Sequence, residues 1–255
     1  DKPGLPVGVL TVPNGDKGPF QGILKHQALA AISFVGSTPI AQYIYETAAK
    51  HGKRVQALGG AKNHMLVLPD ADLDLVADSA INAGFGSAGE RCMAISVVVV
   101  VESVADALIQ KISQRMSQIR VGDGRRNCDM GPLITQQHRE NVADYISSAE
   151  TDGASIVVDG RAVLADGDQQ GFWLGPTLID RLPTTSRAYR EEIFGPVPGI
   201  IRVESFDEGL ALINSSRYGN GTAVFTNDGG AARRFQREVE VGMVGVNVPI
   251  PVPVS

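Results

Sequence analysis

The sequence predicts an α/β protein with doubly wound, mostly parallel sheets, and three observations carry that expectation. Short β-branched runs alternate with other segments along the chain, which is the pattern of βα units feeding a parallel sheet. The gaps between those runs carry apolar residues near helical spacing. At 255 residues, 43% hydrophobic and 20% charged, the chain is long enough for one large domain, or one domain plus part of another. In order, strands are expected at 7–12, 30–35, 54–58, 65–68, 94–102, 155–158, 199–203, 221–225 and 243–246. The clearest helices fall at 39–50, 73–85, 104–119, 136–151, 206–215 and 230–239. The Gly59-Gly60 pair and the polar turn after it mark the domain junction. The opening DKPGLPVGVL and the Pro-rich close VPIPVPVS both read as cut ends of a longer protein.

Composition excludes several classes of partner. A net charge of -5 with no run of Lys and Arg gives no electrostatic footprint for nucleic acid or an anionic membrane. The most apolar stretch, at 95–101, is far shorter than the roughly 20 residues that span a bilayer. Two cysteines do not make a disulfide framework, so a reducing compartment is expected and each thiol is judged separately. The four histidines are dispersed without metal spacing, and no metal ligand is assigned.

Three segments carry chemistry. In AISFVGSTPI a strand runs into Gly36-Ser37 and a helix that Thr38 could cap and Pro39 could open. Such a helix start favours a phosphate, although the same residues serve equally well as an ordinary capped helix. In NAGFGSAGERCMAIS, Gly84, Gly86 and Gly89 suit close backbone approach better than helix interior, and they deliver Cys92 to a bend beside Arg91. A neighbouring fixed positive charge favours a thiolate, which makes Cys92 a candidate covalent nucleophile. Cys128, in the polar loop RRNCDMGP, is expected to be a bystander. In YREEIFGPVPGI, Glu192 could bind ribose hydroxyls and Phe194 could lie against a flat ring; the alternative is a helix end with solvated acids and one core aromatic.

Together F-x-G-S, G-x-R-C and E-E-I-F-G-P-V, in this order, resemble the aldehyde dehydrogenase superfamily over essentially the whole chain. GAKNHMLVLPDADLD, FGSAGERCMAIS and GMVGVNVPIPVP are similar to its CoA-acylating, methylmalonate-semialdehyde branch. The resemblance implies that residues 1–58 are the later part of an NAD-binding domain, 59–248 the catalytic domain and 249–255 a truncated exit segment. It makes Cys92 the nucleophile, Gly36 and Ser37 neighbours of the NAD pyrophosphate, and Leu58 and Gly59 the floor beneath the nicotinamide. Glu192 becomes a ribose ligand, Phe194 a wall beside the nicotinamide, and Arg91 either a cation that orients the substrate carboxylate or a structural residue. The family's oxyanion-holding Asn and ribose-contacting Lys lie upstream of these residues, so the isolated chain is expected to turn over poorly.

One departure bears on the reaction. Hydrolytic members have a Glu directly before Leu-Gly-Gly that activates water, whereas QALGG has Ala57 there, and no acid occurs between His51 and Asp70. The resemblance therefore implies oxidation of malonate or methylmalonate semialdehyde with NAD, transfer of the acyl group to CoA, and loss of CO2 to give acetyl-CoA or propionyl-CoA. A hydrolytic semialdehyde dehydrogenase and an inactive truncated chain are the alternatives. A homotetramer or homodimer is expected, in the cytoplasm, or in the mitochondrial matrix if the parent is eukaryotic.

Overall fold

The computed structural model describes residues 4, 6, 8–15, 17–167 and 169–249. Its contacts divide the chain into two compact units that meet in sequence at Gly60 and Ala61. In the first, α1 (Lys17–Lys25), β1 (Ala31–Val35), α2 (Thr38–Lys50) and β2 (Arg54–Leu58) follow one another, and β1 pairs with β2 in parallel. Leu24 of α1 and Ile44 and Ala48 of α2 are buried together, with Phe20, Ile32, Phe34 and Val55 packed against them. Helix α1 escapes the sequence reading because Gly18, Pro19 and Gly22 weaken its helical signal. Phe20, Ile23 and Leu24 nevertheless share a helical face. The strand expected at 7–12 does not form: Val7 lies outside the described residues, and 8–12 are turn and irregular chain. Of the exit segment at 249–255, residues 250–255 lie outside the described residues.

The second unit holds β3 (Asn63–Val67), α3 (Leu73–Phe85), β4 (Ile95–Val101), α4 (Glu102–Met116), α5 (Gln136–Thr151), β5 (Ser155–Val158), β6 (Leu178–Asp180), α6 (Arg187–Arg190), β7 (Gly199–Val203), α7 (Phe206–Asn214), β8 (Gly221–Phe225), α8 (Gly229–Glu238) and β9 (Met243–Val246). Its seven strands lie in the order β5-β6-β7-β4-β3-β8-β9, parallel throughout except for the β5-β6 pair. Every residue of β3 and β8 is buried, which requires cover on both faces of the sheet. Helices α3 and α4 pack together, while Gly209 of α7 lies so close to Leu66 that a methyl group there would displace it. Two elements fall below what sequence pattern resolves: β6 is three residues long and α6 four.

Helix boundaries follow local chemistry. Asp72 accepts from Asp74 N and Leu75 N to start α3, Thr135 from His138 N to start α5, Ser205 from Glu208 N to start α7, and Asp228 from Gly230 N and Ala231 N to start α8. Helix α4 begins at Glu102, directly from β4, so the strand expected to include residue 102 ends one residue earlier. On the β7 side, Arg202 joins Asp180, Glu102 and Asp106 at 2.7–2.8 Å, with the Arg202 and Asp180 side chains only 10% and 9% exposed. Replacing Arg202 with Ala leaves Asp180 buried without its cation and should cost about 3 kcal/mol or more. Urea denaturation should place Arg202→Ala well below Arg181→Ala, because Arg181 is largely exposed and meets Glu102 only at 3.5 Å.

Candidate active site

In the first unit the expected cofactor residues gather at the carboxyl ends of β1 and β2. The Gly36 N-H donates to the Leu58 carbonyl at 3.1 Å, tying the two strand ends together. Ser37 occupies the cap position of α2 with an extended backbone and no hydroxyl bond to the first turn. Thr38 does not cap: its hydroxyl accepts from Gly60 N at 3.0 Å. That contact explains the glycine at 59, where a Cβ would come within 3.0 Å of the same hydroxyl. The first turn of α2 is left without a side-chain cap, next to Gly36 in sequence and to Gly59 through Thr38.

In the second unit the other expected residues all precede strands. Cys92 stands before β4, Glu192 and Phe194 before β7, and all three line one cleft with Arg91, Asn63 and Ala61. The cleft therefore opens at the amino ends of the strands, the reverse of the usual placement at carboxyl ends in open α/β sheets. Cys92 is exposed. It sits on a turn closed by Ala94 N donating to Arg91 O at 3.0 Å. Asn63, 1% exposed, donates its side-chain amide to Cys92 O and Ala94 O, both at 2.8 Å. Asn220, just before β8, donates to Cys92 O at 3.0 Å and lies 3.2 Å from Met93 Sδ.

The opposite wall is strained and braced. Phe194 has φ +56°, a left-handed backbone that costs a non-glycine residue about 1 kcal/mol or more. Its carbonyl accepts from His138 Nε2 at 2.7 Å, and its ring, 39% exposed, meets the His138 ring edge-on. His138 also stands 3.5 Å from Glu90, whose carboxylate accepts from Ile134 N and is held above the usual carboxylate range by burial. Glu192 is likewise raised, chiefly by burial, with the Ala61 N-H (3.1 Å) and Lys62 pulling the other way. Buried Lys62 donates to Ala188 O at 2.6 Å and Glu191 O at 2.8 Å, so it fixes the backbone from which Glu192 projects. Burial pushes its ammonium down to about 7 against the pull of Glu192 and Glu191. The two walls touch at Gly89, where φ is +70° and a Cβ would run into the Gly195 carbonyl.

Several expectations change in detail. Gly84 is the penultimate residue of α3, not part of the glycine bend, and a Cβ there would sit at an ordinary 3.5 Å from Pro198. The bend itself is Gly86–Gly89, with Ser87 and Ala88 also left-handed. The Arg91 guanidinium folds back to donate to Asn82 O at 3.0 Å and Ala83 O at 3.5 Å, closing the end of α3. Cys128 is half-buried, 3.9 Å from Asp166, and is not among the residues lining the cleft. Sequence reading missed Lys62, Asn63, His138 and Asn220; the two Asn stand at strand starts, a placement that marks no chemistry by itself. Among the described residues no three His, Cys, Asp or Glu side chains are placed to hold a metal ion, and no helix is long and apolar enough to cross a membrane.

An exposed thiol, a half-buried carboxylate and a strained aromatic in one cleft of a parallel α/β sheet define a candidate thiol-dependent enzyme. The chain belongs to the aldehyde dehydrogenase family, whose model matches residues 1–255. It is 54% identical, over 99% of its length, to a malonate-semialdehyde dehydrogenase of Pseudomonas aeruginosa. It superposes on a methylmalonate-semialdehyde dehydrogenase of Oceanimonas doudoroffii with TM-score 0.96 at 52% identity, covering 98% of this chain and 52% of that one. A Sinorhizobium meliloti protein provisionally given the same name and complexed with NAD matches with TM-score 0.95 at 50% identity, again over 98% of this chain and 52% of that one. The chain spans about half the length of the curated relatives it matches.

Two measurements test this architecture. Gly89→Ala should cost about 2 kcal/mol or more, through backbone strain and collision with Gly195, whereas Gly84→Ala should be neutral or stabilising by up to about 1 kcal/mol. Thermal unfolding of the two variants should move in different directions from wild type, or at least differ widely. For Lys62, the folded state holds a neutral amine above about pH 7 while the unfolded chain keeps its proton up to about 10.5. The unfolded state then binds more protons, so stability should rise with pH across that window. The urea midpoint of Lys62→Met should show a shallower rise.

Proposed function

We propose that this chain carries the thiol centre of an NAD-dependent, CoA-acylating dehydrogenase of malonate-type semialdehydes. The observation that carries the reading is the Cys92 thiol, open to solvent on a pinned turn and sharing its cleft with Glu192 and Phe194. The family and the semialdehyde dehydrogenases at about half identity support it. In this reading the first unit is the later part of the NAD-binding domain and the second the catalytic domain.

The residues present fit NAD. Ser37 and the uncapped start of α2 offer backbone donors where a phosphate would bind, while Gly36, its own N-H tied to Leu58 O, and Gly59 keep the adjoining strand ends free of side chains. Leu58, 49% exposed at the end of β2, offers an apolar surface for the nicotinamide. Glu192 would hold ribose hydroxyls and Phe194 would stand beside the ring. When bound, NAD accepts the hydride.

Cys92 thiolate adds to the aldehyde carbon, forming a C–S bond and an oxyanion that backbone N-H groups of the pinned turn stabilise. Loss of hydride from that carbon leaves an acyl thioester on Cys92. A CoA thiolate then attacks the acyl carbon, the bond to Cys92 breaks, and the thiolate is regenerated. The C–C bond to the carboxylate on the carbon next to the thioester carbonyl breaks, CO2 leaves, and the enolate left behind takes a proton from solvent, giving acetyl-CoA or propionyl-CoA. Arg91 is the candidate for orienting that carboxylate, provided the guanidinium leaves or shares its carbonyl partners at the end of α3.

CoA is favoured over water because Ala57 on β2 cannot act as a base, and general-base assistance is worth about a hundredfold to ten-thousandfold. In the full-length protein, one equivalent of NADH per site should form quickly and then stall until CoA is added. Intact-protein mass should show the thioester in the interval. Cys92→Ala should abolish the burst, Cys128→Ala should leave it intact, and Ala57→Glu should restore part of the CoA-independent turnover. Rapid steady-state NADH formation without CoA, yielding a free acid, would favour the hydrolytic alternative.

A further inference from the structure

The carbonyl of Cys92 is held by two side chains, one opening β3 and one just ahead of β8. Asn63 opens β3, and both protons of its amide are used, one on Cys92 O and one on Ala94 O. Asn220 immediately precedes β8 and donates to the same Cys92 oxygen. The two Asn also meet each other, Asn220 Nδ2 to Asn63 Oδ1 at 3.4 Å. Reversing the Asn63 amide would set its oxygen against two carbonyl oxygens, so the donor orientation is the only one that the surroundings accept. Strand β3 lies between β4 and β8, and its register with β4 slips between Asn63 and His64. The slip falls where the Asn63 side chain reaches across to the turn rather than where a regular ladder would hold it.

We propose that Asn63 and Asn220 are positioning residues for the nucleophile. By filling both acceptor sites of the Cys92 carbonyl they lock the peptide plane after Cys92, and with it the direction of the thiol and of the neighbouring N-H groups. Met93 packs against the core and Ala94 is buried, but Cys92 between them and the glycine bend is exposed, so the two amides fix its carbonyl directly. A misplacement of about 1 Å at a reacting atom costs about a hundredfold in rate, which is the scale of effect two such anchors control. The inference rests on Cys92 being the nucleophile.

The test uses Asn220→Leu and Asn63→Leu in the full-length protein, with Cys92→Ala alongside. Asn220 is only half-buried, so its variant keeps the question answerable if the Asn63 variant fails to fold. The pre-steady-state NADH burst of Asn220→Leu should slow about tenfold or more at saturating aldehyde and NAD, with both KM values nearly unchanged. Alkylation of Cys92 by iodoacetamide, which needs no fixed approach, should change by less than about threefold. Where both single variants fold, the double variant should be barely slower than the worse single, since the two amides hold one carbonyl. A purely structural role would lower the unfolding midpoint and leave the burst rate per folded site at the wild-type value, and that result would overturn the proposal. A burst that survives Cys92→Ala would overturn the underlying nucleophile assignment instead, while a lost burst there with a normal one in Asn220→Leu would sink only the positioning role.

Discussion

The buried amide of Asn63 is the interaction on which the rest of the site depends. A carboxamide only 1% exposed must satisfy its hydrogen bonds internally, and it does so on Cys92 O and Ala94 O. That requirement brings the entrance of β3 against the entrance of β4 and so places the thiol beside a completely buried strand. The parallel sheet makes the arrangement possible, because β3, β4, β7 and β8 all start at the same edge. Loops that are distant in sequence, at 61–63, 86–94, 191–196 and 220, become neighbours there.

Charge at this edge is expensive, and the structure offsets it with backbone. Among the described residues Lys62 has no carboxylate at salt-bridge distance; instead its ammonium donates to two carbonyl oxygens, from Ala188 and Glu191. Glu192 is steadied by the Ala61 N-H, and Glu191 by the Tyr145 hydroxyl at 2.6 Å. Burial moves Lys62 down and Glu192 up, so each drifts toward its neutral form. A ligand that brings hydroxyl groups to Glu192 would stabilise its charged form, and binding there would couple to protonation.

Backbone strain concentrates at the same place. Ser87, Ala88 and Phe194 are left-handed without being glycine, and Gly89 is left-handed against the Gly195 carbonyl. His138 and Val142 of α5 brace the second wall, the former at the Phe194 carbonyl and the latter where a Cβ on Gly195 would collide. Conformations that cost a kilocalorie or more persist only where their surroundings over-determine them, and they cluster where precise placement of chemical groups is required.

By itself the sequence determined most of the elements and the chemical cast. Strands Arg54–Leu58, Ser155–Val158, Gly199–Val203, Gly221–Phe225 and Met243–Val246 and helices Leu73–Phe85 and Gln136–Thr151 are legible from apolar periodicity and caps, because those signals are local. The family motifs single out Cys92, Glu192 and Phe194 for the same reason, each lying in a short run of distinctive residues. Weak or very short elements, α1, β6 and α6, carry too little local signal and form because neighbours pack on them. Only the tertiary structure decided that Thr38 serves Gly60 rather than its own helix, and that Arg91 closes the end of α3. The roles of Lys62, Asn63, His138 and Asn220 arise the same way, since a hydrogen bond between residues up to 157 positions apart depends on strand order and register, which no local pattern encodes.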